Sequence, residues 1–356
     1  RTVIPFGPQH PVLPEPIHLD LVMEEETVVK AVPSIGYIHR GLERLVEKRD
    51  FNQYVYVAER ICGICSFMHG MGYCMAVEEI MGVKVPDRAE FLRTIWAELS
   101  RMHSHILWLG LMADAFGFES LFMHCWRVRE QILDIFDRTT GGRIIFSVCK
   151  IGGVLRDIDD AALRLIGDTL DTVEKDLKDL TGVFLSDASV RHRTAGVGVL
   201  TKEQAEALGA VGPMAKASGV GIDMRLRGYA AYSRLDFQPV TDPAGDSFAR
   251  IRVRIREVFQ SIGLIRQCIR LMPAGDIGVK VVGNPDGEYF NRIEQPRGEV
   301  LYYVKANGTK FLNRMRVRTP TFANIPAMLE TLKGCSLADV PVLILTIDPC
   351  ISCTER

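Results

Sequence analysis

Nowhere in its 356 residues does this chain run to the ~20 consecutive apolar residues that a membrane-crossing helix needs. The longest candidates are Ile106–Met112, which gives way to Asp114, and Val340–Ile347, which contains Pro341. Any membrane association is therefore expected to come through partners. The start, Arg1-Thr-Val-Ile-Pro-Phe-Gly-Pro, also lacks the apolar centre of a secretory signal. An excess of one charge is missing too: 43 basic residues face 44 acidic ones, for a net charge of −1. That leaves no broad basic field for nucleic acid or an anionic surface. Arg250, Arg252, Arg254 and Arg256 do cluster, but their alternation reads as a charged strand edge or helix face. There is no internal repeat and no low-complexity segment. The cysteines are odd in number, nine, in a chain far longer than a disulfide-stapled secreted module. Reduced thiols, some free to bind metal, are the expectation.

What is present is ordinary globular material, 47% hydrophobic and 24% charged, enough to bury a large core. Ile17–Met23 and Thr27–Val32 alternate as two strands around Glu24-Glu-Glu, which predicts an N-terminal hairpin. From Leu42 to about Phe136 the pattern turns helical; Leu92, Ile95, Trp96, Leu99, Met102 and Ile106 share one face. Asp157–Leu180 and Phe248–Met272 read as long amphipathic helices, with Gly-rich loops and a shorter helix between them. Gly298–Val304 and Lys310–Val317 read as strands joined at Asn307-Gly308. A short helix over Ile325–Leu332 then leads to an expected buried strand over Pro341–Ile347. The fold class is α+β, mainly α: a multi-helical core with small peripheral sheets, and no linker divides it, so residues 1–356 are expected to form one domain.

Chemistry concentrates in two Cys-x-x-Cys pairs, Cys62/Cys65 and Cys350/Cys353. Four thiolates suit soft or borderline metals. The first pair opens a helix, whose N-terminus favours the thiolate, and places His69 on the face of Cys65. Arg60 precedes that pair, and Asp348-Pro349 precedes the second. Spacing alone admits a structural tetrathiolate zinc at least as well as a redox metal. Against zinc, such pairs normally lie close together and staple a small domain, whereas these tie the two ends of a chain with ample core. Cys74, Cys125, Cys149, Cys268 and Cys335 occur singly in apolar or helical surroundings and read as buried packing.

Arg60-Ile-Cys62-Gly-Ile-Cys65-Ser-Phe-Met-His69 and Asp348-Pro-Cys350-Ile-Ser-Cys353-Thr-Glu-Arg356 resemble the two signatures of nickel–iron hydrogenase large subunits. His39-Arg-Gly-Leu-Glu43 and Glu294-Gln-Pro-Arg297-Gly fit the same family. The resemblance runs from Pro5-Phe-Gly-Pro-Gln-His10 to the end and is similar to the membrane-bound, energy-converting group, which includes carbon-monoxide-linked and formate-linked enzymes. Gly7-Pro-Gln-His-Pro and Ser104-His-Ile-Leu-Trp-Leu-Gly110 also resemble the quinone-site subunit of respiratory complex I, a relative without the metal-binding cysteines. The resemblance implies the hydrogenase large-subunit fold. It also implies a Ni–Fe(CO)(CN)2 centre, with Cys62 and Cys350 as terminal nickel ligands and Cys65 and Cys353 as bridges. His69 would then hydrogen-bond a bridging thiolate. Arg297 and Asp348 would lie over the open position, and an arginine so placed serves as an electrostatic anchor rather than a base. Heterolytic H2 cleavage releases a proton that a thiolate can accept only if a neighbour carries it on, and Glu43 resembles that carboxylate. Asp114 is a candidate for an acidic canopy or a relay towards the membrane; His10, His103 and His105 are weaker candidates. Many relatives hold magnesium with a terminal histidine, but Arg356 stands here, so its charge is expected to replace the ion by pairing with a residue such as Glu24. The stop at Arg356 fits a processed C-terminus. No cysteines remain for an iron–sulfur cluster, so the implied partners are a cluster-bearing small subunit, a ferredoxin-like subunit and integral membrane ion-translocating subunits. The expected location is peripheral, on the cytoplasmic side of a membrane. The reading that competes is a non-catalytic coupling subunit with a structural zinc.

Overall fold

The computed structural model describes all 356 residues. The chain opens with strands β1 (Thr2–Phe6), β2 (His18–Glu24) and β3 (Thr27–Ser34), an antiparallel sheet in that order. In β2 the alternation works as expected: Leu19, Leu21 and Met23 are buried while their neighbours are not. Short helical turns lead to α1 (Ser66–Met81), α2 (Asp87–Ala115) and α3 (Glu119–Thr140). After two further long helices, α4 (Asp160–Ser186) and α5 (Ser247–Leu271), a second three-stranded antiparallel sheet follows. It comprises β4 (Asp286–Gln295), β5 (Gly298–Asn307) and β6 (Arg314–Arg318). The chain closes with helices α6 (Pro320–Thr331), α7 (Val340–Thr346) and α8 (Ile351–Glu355). The architecture is α+β and mainly α.

The long helices are where apolar spacing placed them. In α4, Leu163, Ile166, Leu170, Val173, Leu177 and Leu180 are buried at three- and four-residue steps. Asp159 caps α4 by accepting from Ala162 N at 2.8 Å, and Asp246 caps α5 through Ala249 N at 2.7 Å. Helix α2 lies in the centre, packed between α3 and α5, and is buried on nearly every face. Trp96 in α2 is fully buried, and its indole N–H donates to Thr139 Oγ1 in α3 at 3.0 Å. Trp96→Ala is expected to cost about 3–5 kcal/mol, because the site cannot collapse between three helices. Chemical denaturation would read this as a lower midpoint at unchanged slope.

Two readings change, and one left open between strand and helix resolves. Pro341–Ile347 is a helix, not a strand. A short apolar run buried all round carries no periodicity to separate the two, and Pro341 lies in the first turn, where its missing N–H is not needed. Strand β4 was not expected, because its first half is polar and exposed at a sheet edge. The Arg250–Arg256 alternation is a helix face. Arg252 and Arg256 pair with Asp242 at 2.7 and 2.6 Å, while buried Arg250 and Arg254 reach Thr346 at the end of α7. They thereby hold the segment that enters the second cysteine pair.

Candidate metal centre

The two ends of the chain meet at the cysteines. Cys62 and Cys65 lie in the turn that enters α1, with Cys65 at its N-cap. Cys62 is therefore not on the helix, as the spacing suggested; its sulfur instead accepts from the Ile64 and Cys65 N–H groups at 3.2 and 3.4 Å. Cys350 caps α8 in the same way, its sulfur accepting from Cys353 N at 3.4 Å. Asp348, at φ 56, supplies the left-handed turn that redirects the chain from α7 into this loop. Two side chains of the segment that opens α6 complete the mounting: Thr321 Oγ1 accepts from Cys350 N at 3.1 Å and Thr319 Oγ1 donates to Cys353 O at 3.0 Å. Arg40 clamps both loops from outside, reaching Arg60 O and Ile61 O at 2.8 Å each and Ser352 O at 3.3 Å.

All four sulfurs are buried and close-set. Cys62 and Cys350 are 3.3 Å apart, Cys65 and Cys353 3.5 Å, well beyond the about 2.05 Å of a disulfide. These are near the separations of thiolates on a shared cation, about 3.8 Å for tetrahedral bonds of 2.3 Å. Potential ligand atoms of Cys62, Cys350 and Cys353, and of Cys65, His69 and Cys353, each lie within 4.8 Å of one another. The sulfur contact from Cys350 draws the Cys62 thiol well below its ordinary value, whereas burial pushes Cys65 and Cys353 well above theirs. Four thiolates cannot coexist here without a cation among them. The donor set thus fits a thiophilic metal or metal pair.

The surroundings are specific. Burial lowers His69 to about 4, so its ring is neutral and has one N–H. Burial keeps Tyr302 protonated, and its hydroxyl lies 2.6 Å from His69 Nδ1, while Nε2 lies 3.3 Å from Cys353 Sγ. Against a metal-bound Cys353 thiolate, which only accepts, Nε2 carries the hydrogen and the Tyr302 hydroxyl donates to Nδ1. Arg297 donates to Asp348 O at 2.7 Å and Asp348 Oδ1 at 2.8 Å. Burial opposes its charge, but Asp348 and the thiols prevail, and the guanidinium stays firmly protonated. Asp348 Oδ2 has no partner. Beside this pair is a cavity of ≈ 230 Å³, lined by Glu15, Trp108, Leu111, Trp126, Arg297 and Asp348 among others.

Glu15 was missed in the sequence. Its carboxylate accepts from Ile351 N and, at 3.0 Å, from Ser352 N, so it sits at the first turn of α8, between Cys350 and Cys353. Burial, then the charge of Cys62, raises its pKa. The available signal was weak: a lone carboxylate held stiffly in Pro14-Glu15-Pro16.

Other expected residues lie elsewhere. The Glu43 carboxylate is taken by Val317 N at 2.8 Å, Arg316 at 2.9 Å and Arg356 at 3.1 Å, and makes no hydrogen bond to a cysteine. Neither Arg40 nor Arg44 is its partner; Arg44 pairs with Glu47. Arg60 is exposed and donates to Tyr56 O, its expected place near the loops being filled by Arg40. Asp114 is exposed at the end of α2, which removes the desolvation cost that had made it a candidate. Arg356 pairs with Glu43, while Glu24 pairs with Arg1. Two guanidiniums on Glu43 repel a divalent ion, so this spot does not fit magnesium. His10 stacks on Phe6, and His103 and His105 are buried with partners at Ile64 O and Glu257. The five single cysteines are buried, with thiols pushed up by burial, Cys125 to about 12 and Cys335 to about 11.

Comparison with known proteins gives a consistent set. Residues 40–113 match the family model "Nickel-dependent hydrogenase", and residues 115–282 and 279–356 match "Respiratory-chain NADH dehydrogenase, 49 Kd subunit". The carbon monoxide-induced hydrogenase of Rhodospirillum rubrum is 40% identical, with 99% of each chain covered. The membrane-bound hydrogenase subunit alpha of Pyrococcus furiosus is 38% identical over 99% of this chain and 87% of its own. Among solved structures, a chain of the membrane-bound sulfane sulfur reductase, an archaeal respiratory membrane complex, superposes with a TM-score of 0.95 at 31% identity, covering 100% of this chain and 98% of that one.

Proposed function

Because the chain belongs to the family that unites large subunits of membrane-bound hydrogenases with the 49 kDa subunit of respiratory NADH dehydrogenase, we propose that it is the catalytic subunit of a nickel–iron hydrogenase. The observation that carries this reading is the convergence of Cys62, Cys65, Cys350 and Cys353 in one buried cluster. These four would be the residues that hold a Ni–Fe(CO)(CN)2 centre. When bound, that centre supplies the redox chemistry of H2 ⇌ 2 H+ + 2 e−.

The chain's own residues do the rest. Arg297, pinned by Asp348, presents a fixed positive charge to the centre and to the cavity beside it. His69 Nε2–H donates to Cys353, lowering that sulfur's basicity so that protons go to the other pair. Glu15 receives the proton at its carboxylate, whose pKa burial raises above the ordinary value. It takes over the relay first assigned to Glu43. Trp108, Trp126 and Leu111 line the dry side of the cavity that would admit H2. Electrons pass to an iron–sulfur cluster on a small subunit, with a ferredoxin-like donor or acceptor and membrane ion-translocating subunits beyond it. No helix is long and apolar enough to cross a membrane, in line with a peripheral subunit of such an assembly.

Hydrogen–deuterium exchange by the purified complex tests the proposal: exchange with infrared bands of metal-bound carbonyl and cyanide supports it. The family's respiratory branch and the sulfane sulfur reductase likeness favour one other reading, a coupling subunit with zinc at the cysteines. Absence of exchange and of those bands in an intact complex would select that reading.

A further inference from the structure

Away from the sulfurs, a second dense set of buried charges surrounds Lys216. Its ammonium has three N–H groups, and three carboxylates take them: Asp223, Glu257 at 2.8 Å and Glu294 at 3.1 Å. The side chains of Lys216, Asp223 and Glu257 are fully buried and that of Glu294 is 2% exposed. Arg225 joins Asp223 at 2.8 Å to Glu98 at 3.3 Å, and Arg101 lies 3.4 Å from Glu98. Four carboxylates thus face three permanent cations in a volume closed to water.

No other neighbour closes the deficit. His105 donates its Nε2–H to Glu257 at 2.7 Å, but its Nδ1 has no partner, so a second proton there would be buried without an acceptor. Burial accordingly drives His105 down to about 4. Arg297 is committed to Asp348, and Arg254 lies over the Trp108 ring and donates to the carbonyls of Arg250 and Thr346. Tyr229 and Tyr232 are held protonated by burial.

The carboxylates are not equally supported. Asp223 has Lys216 and three donors of Arg225, its backbone N–H among them. Glu98 has Arg225, Arg101, Tyr232 and Ser261. Glu257 has Lys216 and His105. Glu294 has only the longest of the three lysine contacts and the Met224 N–H at 3.0 Å. Its main chain also borders a residue that faces solvent. Its backbone N–H donates to the Tyr229 hydroxyl at 3.1 Å, and Tyr229 walls a polar cleft of ≈ 440 Å³.

We propose that this cluster is an internal proton store, in which Glu294 takes one proton from water of the Tyr229 cleft and returns it while the other three carboxylates stay ionised. The directions agree: burial and then Asp223 raise Glu294 to about 7, while Glu98, Asp223 and Glu257 are held low. The link to the cysteines rests on the metal reading above. Glu294 and Arg297 flank one bend of chain, and Arg101 binds the carbonyls of Glu294 and Gln295 at 2.9 and 3.1 Å. Negative charge gained at the centre therefore raises the proton affinity of the store.

Infrared spectroscopy of the intact complex tests this through the carboxylic-acid C=O stretch. Wild type should show an acid band at neutral pH that fades as pH rises, and Glu294→Gln should lack it. Glu59, likewise raised to about 7 by burial, gives its own band, so the Glu294 band must survive in Glu59→Gln. The Glu294 contribution to stability is present below its ordinary 4.5 and lost as pH rises through about 7; Glu294→Gln removes that slope. Identical acid bands in wild type and Glu294→Gln would overturn the store. Should that variant fail to assemble, Glu294→Asp decides: the band must shift in frequency, and an unmoved band overturns the proposal. The readout needs no metal. The acid band tests the store and the nickel content of the intact complex tests the metal reading, so either can fail while the other stands.

Discussion

Cys353→Ser is expected to leave a folded chain that retains neither nickel nor iron and exchanges no hydrogen, a loss of more than about 10²-fold. Cys353 is the sulfur common to both potential ligand triads, and it also takes the His69 N–H. A serine hydroxyl stays protonated where a thiol ionises, and its oxygen is a poor match for soft metals. The fold should survive, because the loop is also held by Arg40, Glu15 and Thr319. Cys74→Ser provides the contrast. Cys74 is equally buried but belongs to no ligand cluster, so that variant should lose stability and keep its metal. Metal analysis and hydrogen–deuterium exchange on the two variants separate a ligand from a packing residue. Equal metal content in both would refute the assignment of Cys353.

The second large effect is expected at Glu15. Glu15→Gln should lower exchange by about 10²–10⁴-fold, the range for loss of a positioned acid or base, with the metal content unchanged. The amide keeps the shape, and its oxygen can still accept from Ile351 and Ser352. What is lost is the ability to hold a proton beside the cysteines. Glu43→Gln should behave differently. Its carboxylate compensates Arg316 and Arg356, so its loss should weaken the packing of the C-terminal helix rather than proton movement. Exchange that falls in Glu43→Gln and persists near the parent rate in Glu15→Gln would return the relay to Glu43.

The contrast between these two glutamates shows what was legible in the sequence. The cysteine pairs, His69, Arg297 and Asp348 come from compact motifs, and the folded chain brings all of them together. The long helices followed from apolar spacing that tertiary packing reinforced, as in α4. Side chains whose role depends on where a loop lands were harder. Glu15 reaches the second cysteine pair only because the N-terminal sheet brings Pro14-Glu15-Pro16 against residues 351 and 352, a contact across more than three hundred residues of chain. Arg40 takes the place expected of Arg60 because a turn before α1 points the Arg60 side chain out and leaves two carbonyls for Arg40. The helix α7 was hidden because a segment buried on all sides carries no polar face to set a period. The Lys216 cluster was invisible for a related reason. Its members come from α2, α5, the end of β4 and the segment between residues 216 and 225, and each looks like an ordinary charge in its own segment.

The most direct test of the central claim is metal quantification on the purified complex. Nickel and iron at this subunit's cysteines, in equal amounts and lost together from Cys353→Ser, are the predicted result. Zinc bound at the four cysteines, with no nickel, would contradict it.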